Sequence, residues 1–450
     1  MKSKTVLLTL AGILAVNTGF AAQDQPQKIP YSESVKSKLE AAASAPAEIN
    51  HNDSIYFTMN DFYNMKSTKD RIILEKYPTY QQTQLHTCGP AAGLTVLYYY
   101  GNKKYDEISL ITGMKTKPYP IGSNTKDMSA FFKNIGWYVE DSLSHEPFTE
   151  YEDFKNWVIH NLQQNTPILV ENVEWGGHWR VIIGYDTLGT DPIDDDILIM
   201  TDSYDTSDHN QDGYVINNVE RFVDMWFDHS MLPKNQQKQP WIITRPKTFV
   251  EEHNETIASI LEKSKTAEKT DQIVLVIDHN LSLWNKDSKG WKMDFQSYCG
   301  YGRNGLSFDK REGDGKTPVG SFTLPYAMGF TPNLTENIIY RNITPNSQLS
   351  SENNDNYNRW IERVGISDES EQLSDYYQYK YALGVGYNIA PVEPGKGSAI
   401  FIRCKDYESW NTAGSISLPE DMMLELVKKV HNSAYVIISP TINDIPNIEN

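Results

Sequence analysis

Cysteine is scarce, with three residues in a chain of 450. That excludes a disulfide scaffold and an all-thiolate zinc site. Positive charge is also in deficit. Lysine and arginine number 41 against 59 aspartates and glutamates, a formal charge of −18. This acidity argues against nucleic acid as a partner, because phosphate binding needs a basic surface. Beyond the N-terminus no apolar run is long enough for a membrane helix. What is present is enough apolar material for packed cores, 39% hydrophobic and 12% aromatic residues, so global disorder is excluded. A length of 450 predicts two or three domains.

Residues 1–21 read as a secretory signal peptide. Lys2 and Lys4 form a short basic region, Val6 to Val16 a mostly apolar run, and Gly19 and Ala21 stand at −3 and −1 for cleavage before Ala22. The expectation is a protein exported to the periplasm or secreted, with no membrane span. Loss of the two lysines would take the charge from −18 to −20. Residues 22–60 are polar and read as a linker or pro-segment, with one short helix around Glu33 to Ala43. A first domain is expected over 61–246. Residues 247–270 predict a helical connector, since Val250, Ile257, Ile260 and Leu261 have helical spacing. A second domain, 271–440, opens on the strand-like run Gln272 to Ile277. The tail, 441–450, is expected to fray.

The first domain carries a nucleophile pattern. Pro90 suits a first helical turn and Gly101 the position past the helix end, so Cys88 falls at a helix N-terminus. The positive end of the macrodipole favours a thiolate there. His178 opens the strand-like run His178 to Tyr185 after two glycines, and Asp202 closes another that starts near Ile197. A thiol nucleophile needs a base to take its proton and a third group to hold the imidazole tautomer. Cys88, His178 and Asp202 supply these, and the Gln82 amide is a candidate donor to an oxyanion. The bland alternative for Cys88 is a buried structural cysteine.

This stretch resembles the papain-like C39 family of cysteine peptidases. It shares Gln-x5-Cys-Gly, a later Gly-His-aromatic strand and an Asp after a further strand. The resemblance covers about residues 62–245. It implies an α+β papain-like fold, with Gln82 as oxyanion donor, Cys88 as nucleophile, His178 as base and Asp202 as orienter. Many relatives have Pro after the Asp, where Ser203 stands here.

Other residues read more plainly. His86 is expected on a loop surface. Trp175 and Trp179 flank His178 and are candidates either for lining a substrate cleft or for packing. Asp208 to Gly213 resembles the opening of a calcium loop, but Val219 stands at the twelfth position, so an acidic turn without metal is preferred. His145, His160 and His229 read as surface or satisfied core residues.

In the second domain, Gly302 to Leu306 precedes Lys310-Arg311-Glu312-Gly313-Asp314-Gly315-Lys316-Thr317-Pro318-Val319-Gly320. This is no phosphate-binding P-loop, for it lacks Gly-x4-Gly-Lys-Ser/Thr. The segment is similar to the YkuD-type L,D-transpeptidase family, which cross-links peptidoglycan stem peptides through a cysteine thioester. The resemblance implies a mostly-β domain of that fold. Relatives carry His where Arg403 stands and Cys where Ser415 stands. Arginine stays protonated and cannot act as a base. A serine hydroxyl without a base is a poor nucleophile. The domain is therefore expected to be catalytically dead, with Arg403 and Ser415 lining a groove that retains substrate binding. Cys299 and Cys404 pair in a disulfide or stay as two buried thiols.

The combined expectation is an exported cysteine peptidase or amidase that needs no cofactor or metal and acts on peptide or peptidoglycan stem-peptide amides. A non-enzymatic envelope binding protein and an acyl transferase using the same Cys88 triad are the alternatives.

Overall fold

The computed structural model describes residues 28–39, 60–205, 211–229, 231–352, 354–365 and 370–448. The signal-peptide reading, most of the 22–60 segment and Asp208 to Asn210 of the acidic turn lie outside these residues. Among the described residues no helix is long and apolar enough to cross a membrane.

The N-terminal region is built on one antiparallel sheet. Its strands are β1 (Arg71–Ile73), β2 (Tyr138–Asp141), β3 (Ile168–Asn172), β4 (His178–Asp186), β5 (Ile197–Thr201), β6 (Tyr214–Asn218) and β7 (Trp241–Arg245). The order is β2-β7-β3-β4-β5-β6, and β1 also pairs with β4. One edge of β4 is shared: β3 takes His178 to Ile182, and β1 takes Gly184 to Asp186. Nearly all of β4 is buried, which explains its continuous apolar run instead of an alternating one.

Helix α1 (Glu33–Leu39) precedes the sheet, and helices α2 (Cys88–Tyr99), α3 (Glu107–Gly113), α4 (Thr125–Asn134) and α5 (Tyr151–Gln163) accompany it. In α2, residues 88–97 are all buried, so it is a core helix and not an amphipathic surface one. Gly101 has φ +76, the left-handed residue that ends it. Asp106 caps α3 by a reciprocal capping box with Ser109.

The C-terminal region is mostly β. One five-stranded sheet has the order Gly290–Tyr298, Asn280–Asp287, Gln272–Ile277, Tyr435–Ser439, Gly320–Thr323. A second joins Tyr340–Asn342, Ala327–Gly329, Tyr381–Gly384, Phe401–Cys404 and Ile416–Leu418. A helix, Glu420–Lys429, buries Met422, Met423, Leu426 and Val427 against this core. The two regions touch: the Gln164 side-chain oxygen accepts from the Tyr298 backbone N–H at 3.1 Å, and His160 Nδ1 lies 2.5 Å from Asp421 Oδ2.

The structure refines or corrects several expectations. The 247–270 connector is helical in pieces: Phe249–Glu252, Asn254–Glu262 and a 3₁₀ turn Lys265–Glu268. It breaks at His253, whose φ −118 and ψ 21 are not helical and whose ring Nδ1–H donates to Phe249 O at 2.9 Å. The tail does not fray through Ile448. Ile445 and Ile448 are buried with Val250, Ile257 and Leu261, and that apolar contact holds the end down. Residues 28–35 are held on the N-terminal region. Ile29 and Val35 are buried on the N-terminal region, and the Tyr31 hydroxyl donates to Gln81 O. The helix there spans Glu33–Leu39. Cys299 and Cys404 are buried free thiols, not a disulfide.

Candidate active site

The chain folds so that three elements converge. α2 presents Cys88 as its first residue, with Thr87 at the N-cap offering no side-chain bond. Gly89 permits this approach, since a Cβ there would lie 2.6 Å from the Ser123 side chain. β4 opens on His178. Antiparallel pairing sets Val181 opposite Thr201, so Asp202, one step past β5, falls beside Arg180 and His178. Cys88, His178 and Asp202 are 6%, 3% and 5% exposed, which makes this a water-poor cluster.

His178 Nε2 lies 2.6 Å from Asp202 Oδ1. The same carboxylate oxygen accepts from the Tyr204 backbone N–H at 2.7 Å. Cys88 is the imidazole's second partner. Burial alone would lower the His178 pKa, but the Asp202 charge, the Asp202 hydrogen bond and Cys88 outweigh it and lift it to about 9. Burial would raise Asp202, yet His178 and Arg180 together hold it below its ordinary value. The arrangement can keep a proton on the imidazole beside a sulfur, as a thiolate–imidazolium pair requires.

Gln82 is buried, and its backbone N–H donates to Ser203 O at 2.9 Å. Its side-chain Nε2 donates to Gln84 O at 2.7 Å, and Oε1 accepts from Ser203 Oγ at 2.8 Å. Trp175 is 68% exposed, sits at φ +56, and packs edge-on to Tyr204 at 5.5 Å; Tyr204 in turn lies 6.5 Å from His178. It stands at the lip of the cluster. Trp179 does not line a cleft. It is 2% exposed, and its indole N–H donates to Ser123 O at 3.3 Å, because successive β4 side chains point to opposite faces. His86, on the turn before Cys88, is half-buried, which lowers its pKa.

Three charged residues here carry no motif. Arg180 is 2% exposed. Its guanidinium lies 2.9 Å from Glu174 and 3.9 Å from Asp202. Glu171 and Asp228 are neighbouring carboxyls, and burial followed by the nearness of Asp228 pushes Glu171 well above the usual carboxylate range. Both lie under Gly177: a Cβ there would meet Asp228 Oδ2 at 2.4 Å and Glu171 Oε1 at 2.8 Å. Period-two alternation on β4 was the one available signal for Arg180, two residues after His178. Glu171 and Asp228 had none, being 57 residues apart in the chain.

The C-terminal region holds a cavity of about 290 Å³ lined by Lys310, Glu312, Glu371, Tyr379, Arg403 and Ser415, among others. Lys310 Nζ pairs with Asp314 at 2.6 Å, and Asp314 also accepts from the backbone N–H groups of Arg311 and Lys316. The glycine-rich motif is thus a knotted wall of this cavity. Ser415 Oγ donates to Ala399 O at 3.2 Å and accepts from the Phe401 N–H at 3.1 Å. Arg403 donates to Cys404 O at 2.9 Å. Among the described residues no histidine lines the cavity. Among the described residues no group of three or more His, Cys, Asp or Glu is placed to hold a metal ion.

Two family models match. Residues 74–228 match the Peptidase_C39 like family, and residues 271–438 match the L,D-transpeptidase catalytic domain of YkuD type. The first points to peptidase chemistry and the second to a cell-wall relationship. Solved structures similar to this chain include the peptidase domain of Streptococcus ComA, a bi-functional ABC transporter involved in a quorum-sensing pathway. It shows 19% identity and a TM-score of 0.27, covering 38% of this chain and 99% of that one. Bdellovibrio bacteriovorus Bd1075 shows 13% identity and a TM-score of 0.23, covering 39% of this chain and 50% of that one. The Campylobacter jejuni helical cell shape determining protein Pgp2 shows 17% identity and a TM-score of 0.24, covering 39% and 54%. This chain thus spans about half the length of these last two. No curated protein matches.

Proposed function

We propose that this chain is an exported cysteine peptidase or amidase whose chemistry resides in residues 61–246. The observation that carries the reading is the buried Cys88–His178–Asp202 cluster, with its 2.6 Å imidazole–carboxylate contact. In the proposed reaction the Cys88 thiolate adds to an amide carbonyl carbon. The carbonyl electron pair moves to oxygen, which Gln82 stabilises. His178 then gives its proton to the leaving amine as the C–N bond breaks, and water hydrolyses the acyl-thioenzyme. Asp202 holds the imidazole, and Trp175 offers an apolar lip to substrate.

Residues 271–440 act as a peptidoglycan-binding module without transpeptidase chemistry. The Ser415 hydroxyl is engaged by Ala399 and Phe401, and no imidazole faces it. The cavity retains the Arg403 guanidinium, suited to a stem-peptide carboxylate. This favours cell-wall stem peptides or envelope proteins as substrates. The test is release of soluble peptides from purified sacculi by wild type and Cys88→Ala. Wild-type release above that of the variant is expected; equal release would reject the cell-wall assignment. Alkylation of Cys88 against pH separates the chemistry from the substrate. Fast labelling that is lost in His178→Ala is expected, and equal slow labelling in both proteins would favour a binding role.

A further inference from the structure

Asp202 and Ser203 are adjacent, yet they serve different partners. Asp202 turns to His178, whereas Ser203 turns to Gln82. The Gln82 amide is held at both ends: Oε1 takes the Ser203 hydroxyl at 2.8 Å, and Nε2 donates to Gln84 O at 2.7 Å. Gln84 O also accepts from Thr87 Oγ at 2.9 Å and from the Thr87 N–H at 3.2 Å, so the amide nitrogen points into the turn that leads to Cys88. Rotating the amide by half a turn would set Oε1 against the Gln84 carbonyl and Nε2 against Ser203. The Ser203 hydroxyl could still accept from Nε2, but Oε1 would face the Gln84 carbonyl, an oxygen–oxygen repulsion.

The surrounding loop is equally constrained. Buried Glu107 accepts from the Thr83 N–H at 3.0 Å, the Thr83 hydroxyl at 2.7 Å and the Tyr80 hydroxyl at 3.0 Å. The backbone therefore places Gln82, and only the sense of its amide is left to be decided. Gln84 O sets it, and Ser203 anchors it.

We propose that Ser203 is a positioning residue for the oxyanion donor: its hydroxyl anchors Oε1 of the Gln82 amide, whose sense Gln84 O sets, so that an N–H stays aimed at the oxygen that forms during attack by Cys88. The inference rests on the thiol-hydrolase reading above. One Nε2 hydrogen goes to Gln84 O and the second serves the oxyanion. In the step concerned the Cys88 sulfur–carbon bond forms, the carbonyl π bond breaks, and its electron pair goes to oxygen.

The test uses the full chain and N-acetylglycinal labelled with ¹³C at the aldehyde carbon. This probe forms a hemithioacetal whose oxygen occupies the oxyanion position. Iodoacetamide, which forms no oxyanion, is the reference for thiol reactivity. Ser203→Ala is expected to weaken the hemithioacetal about tenfold, near the net worth of one hydrogen bond. Gln82→Ala is expected to weaken it about 100-fold or more. Ser203→Thr restores the wild-type affinity. The Gln82→Ala/Ser203→Ala double variant is no weaker than Gln82→Ala alone, because Ser203 acts only through the amide. Iodoacetamide rates stay unchanged in the Ser203 variants. Should Ser203→Ala not fold, Ser203→Cys, a weak donor of similar size, replaces it.

Wild-type affinity in Ser203→Ala, additive losses in the double variant, or no wild-type hemithioacetal would each overturn the proposal. The hydrolase reading fails separately, if iodoacetamide labels Cys88 no faster in wild type than in His178→Ala.

Discussion

The guanidinium of Arg180 lies 3.9 Å from the Asp202 carboxylate, and both side chains are almost entirely buried. A buried anion is tolerated only when paired. Arg180 and His178 together keep Asp202 ionised against the pull of burial. Arg180→Met should therefore raise the Asp202 pKa. Asp202 stabilises the fold above the ordinary aspartate value of about 3.9 and loses this contribution as pH falls through its depressed folded value. In the variant the contribution is smaller and its loss should be complete at higher pH. Urea unfolding of wild type and Arg180→Met between pH 3 and 7 checks it. A total cost of about 3–5 kcal/mol is expected near neutrality, as for a broken buried pair.

The same carboxylate sets the state of His178. With Asp202 present the imidazole titrates near 9. In Asp202→Asn the acceptor oxygen survives and the charge does not, so burial should take the imidazole down. The alkaline limb of the Cys88 alkylation rate, or of kcat/KM once a substrate is found, should move from about 9 towards or below the ordinary imidazole range. An unmoved limb would show that Asp202 does not govern the base.

His178 also makes stability depend on pH. Its folded pKa lies above the unfolded value of about 6.5. Its contribution is then complete below about 6.5 and is lost as pH rises through about 9. The difference in unfolding free energy between wild type and His178→Gln should shrink between pH 6 and 10. Denaturant titrations at four or five pH values measure it.

Gly177 has φ +119, and the Glu171–Asp228 pair fills the space where a side chain would start. Gly177→Ala should cost about 1–3 kcal/mol through strain at a left-handed position. It should also displace His178, the next residue. Lower Tm together with slowed Cys88 alkylation is the expected pair of readouts.

Native alkylation should discriminate among the three thiols. Cys299 and Cys404 are fully buried; burial pushes Cys299 well up and Cys404 to about 12. Peptide mass spectrometry should find Cys88 labelled first, and the other two only after unfolding. Early labelling of Cys404 would contradict the packing of the second core.

Much of this was written locally. Cys88 at a helix start depends on Pro90 and Gly101, and His178 at a strand start on Gly176 and Gly177. The long buried strand β4 announces itself by the apolar run Val181 to Tyr185. Local chemistry also marks the departures at Arg403 and Ser415, since an arginine cannot replace a base in any fold. The tertiary structure alone decided which residues answer one another. Glu171 and Asp228 share a site because β3 and the loop after residue 224 meet under Gly177. Trp175 and Trp179 are alike in composition, but one sits in a strained turn before β4 and the other points inward from it. Ser203 reads as an unremarkable residue after Asp202 until folding brings Gln82, 121 positions away, within 2.8 Å of its hydroxyl. Propensity and capping act over a turn or two of chain. Hydrogen bonds and buried charges act across whatever distance the sheet register closes, and that register is a property of the whole fold.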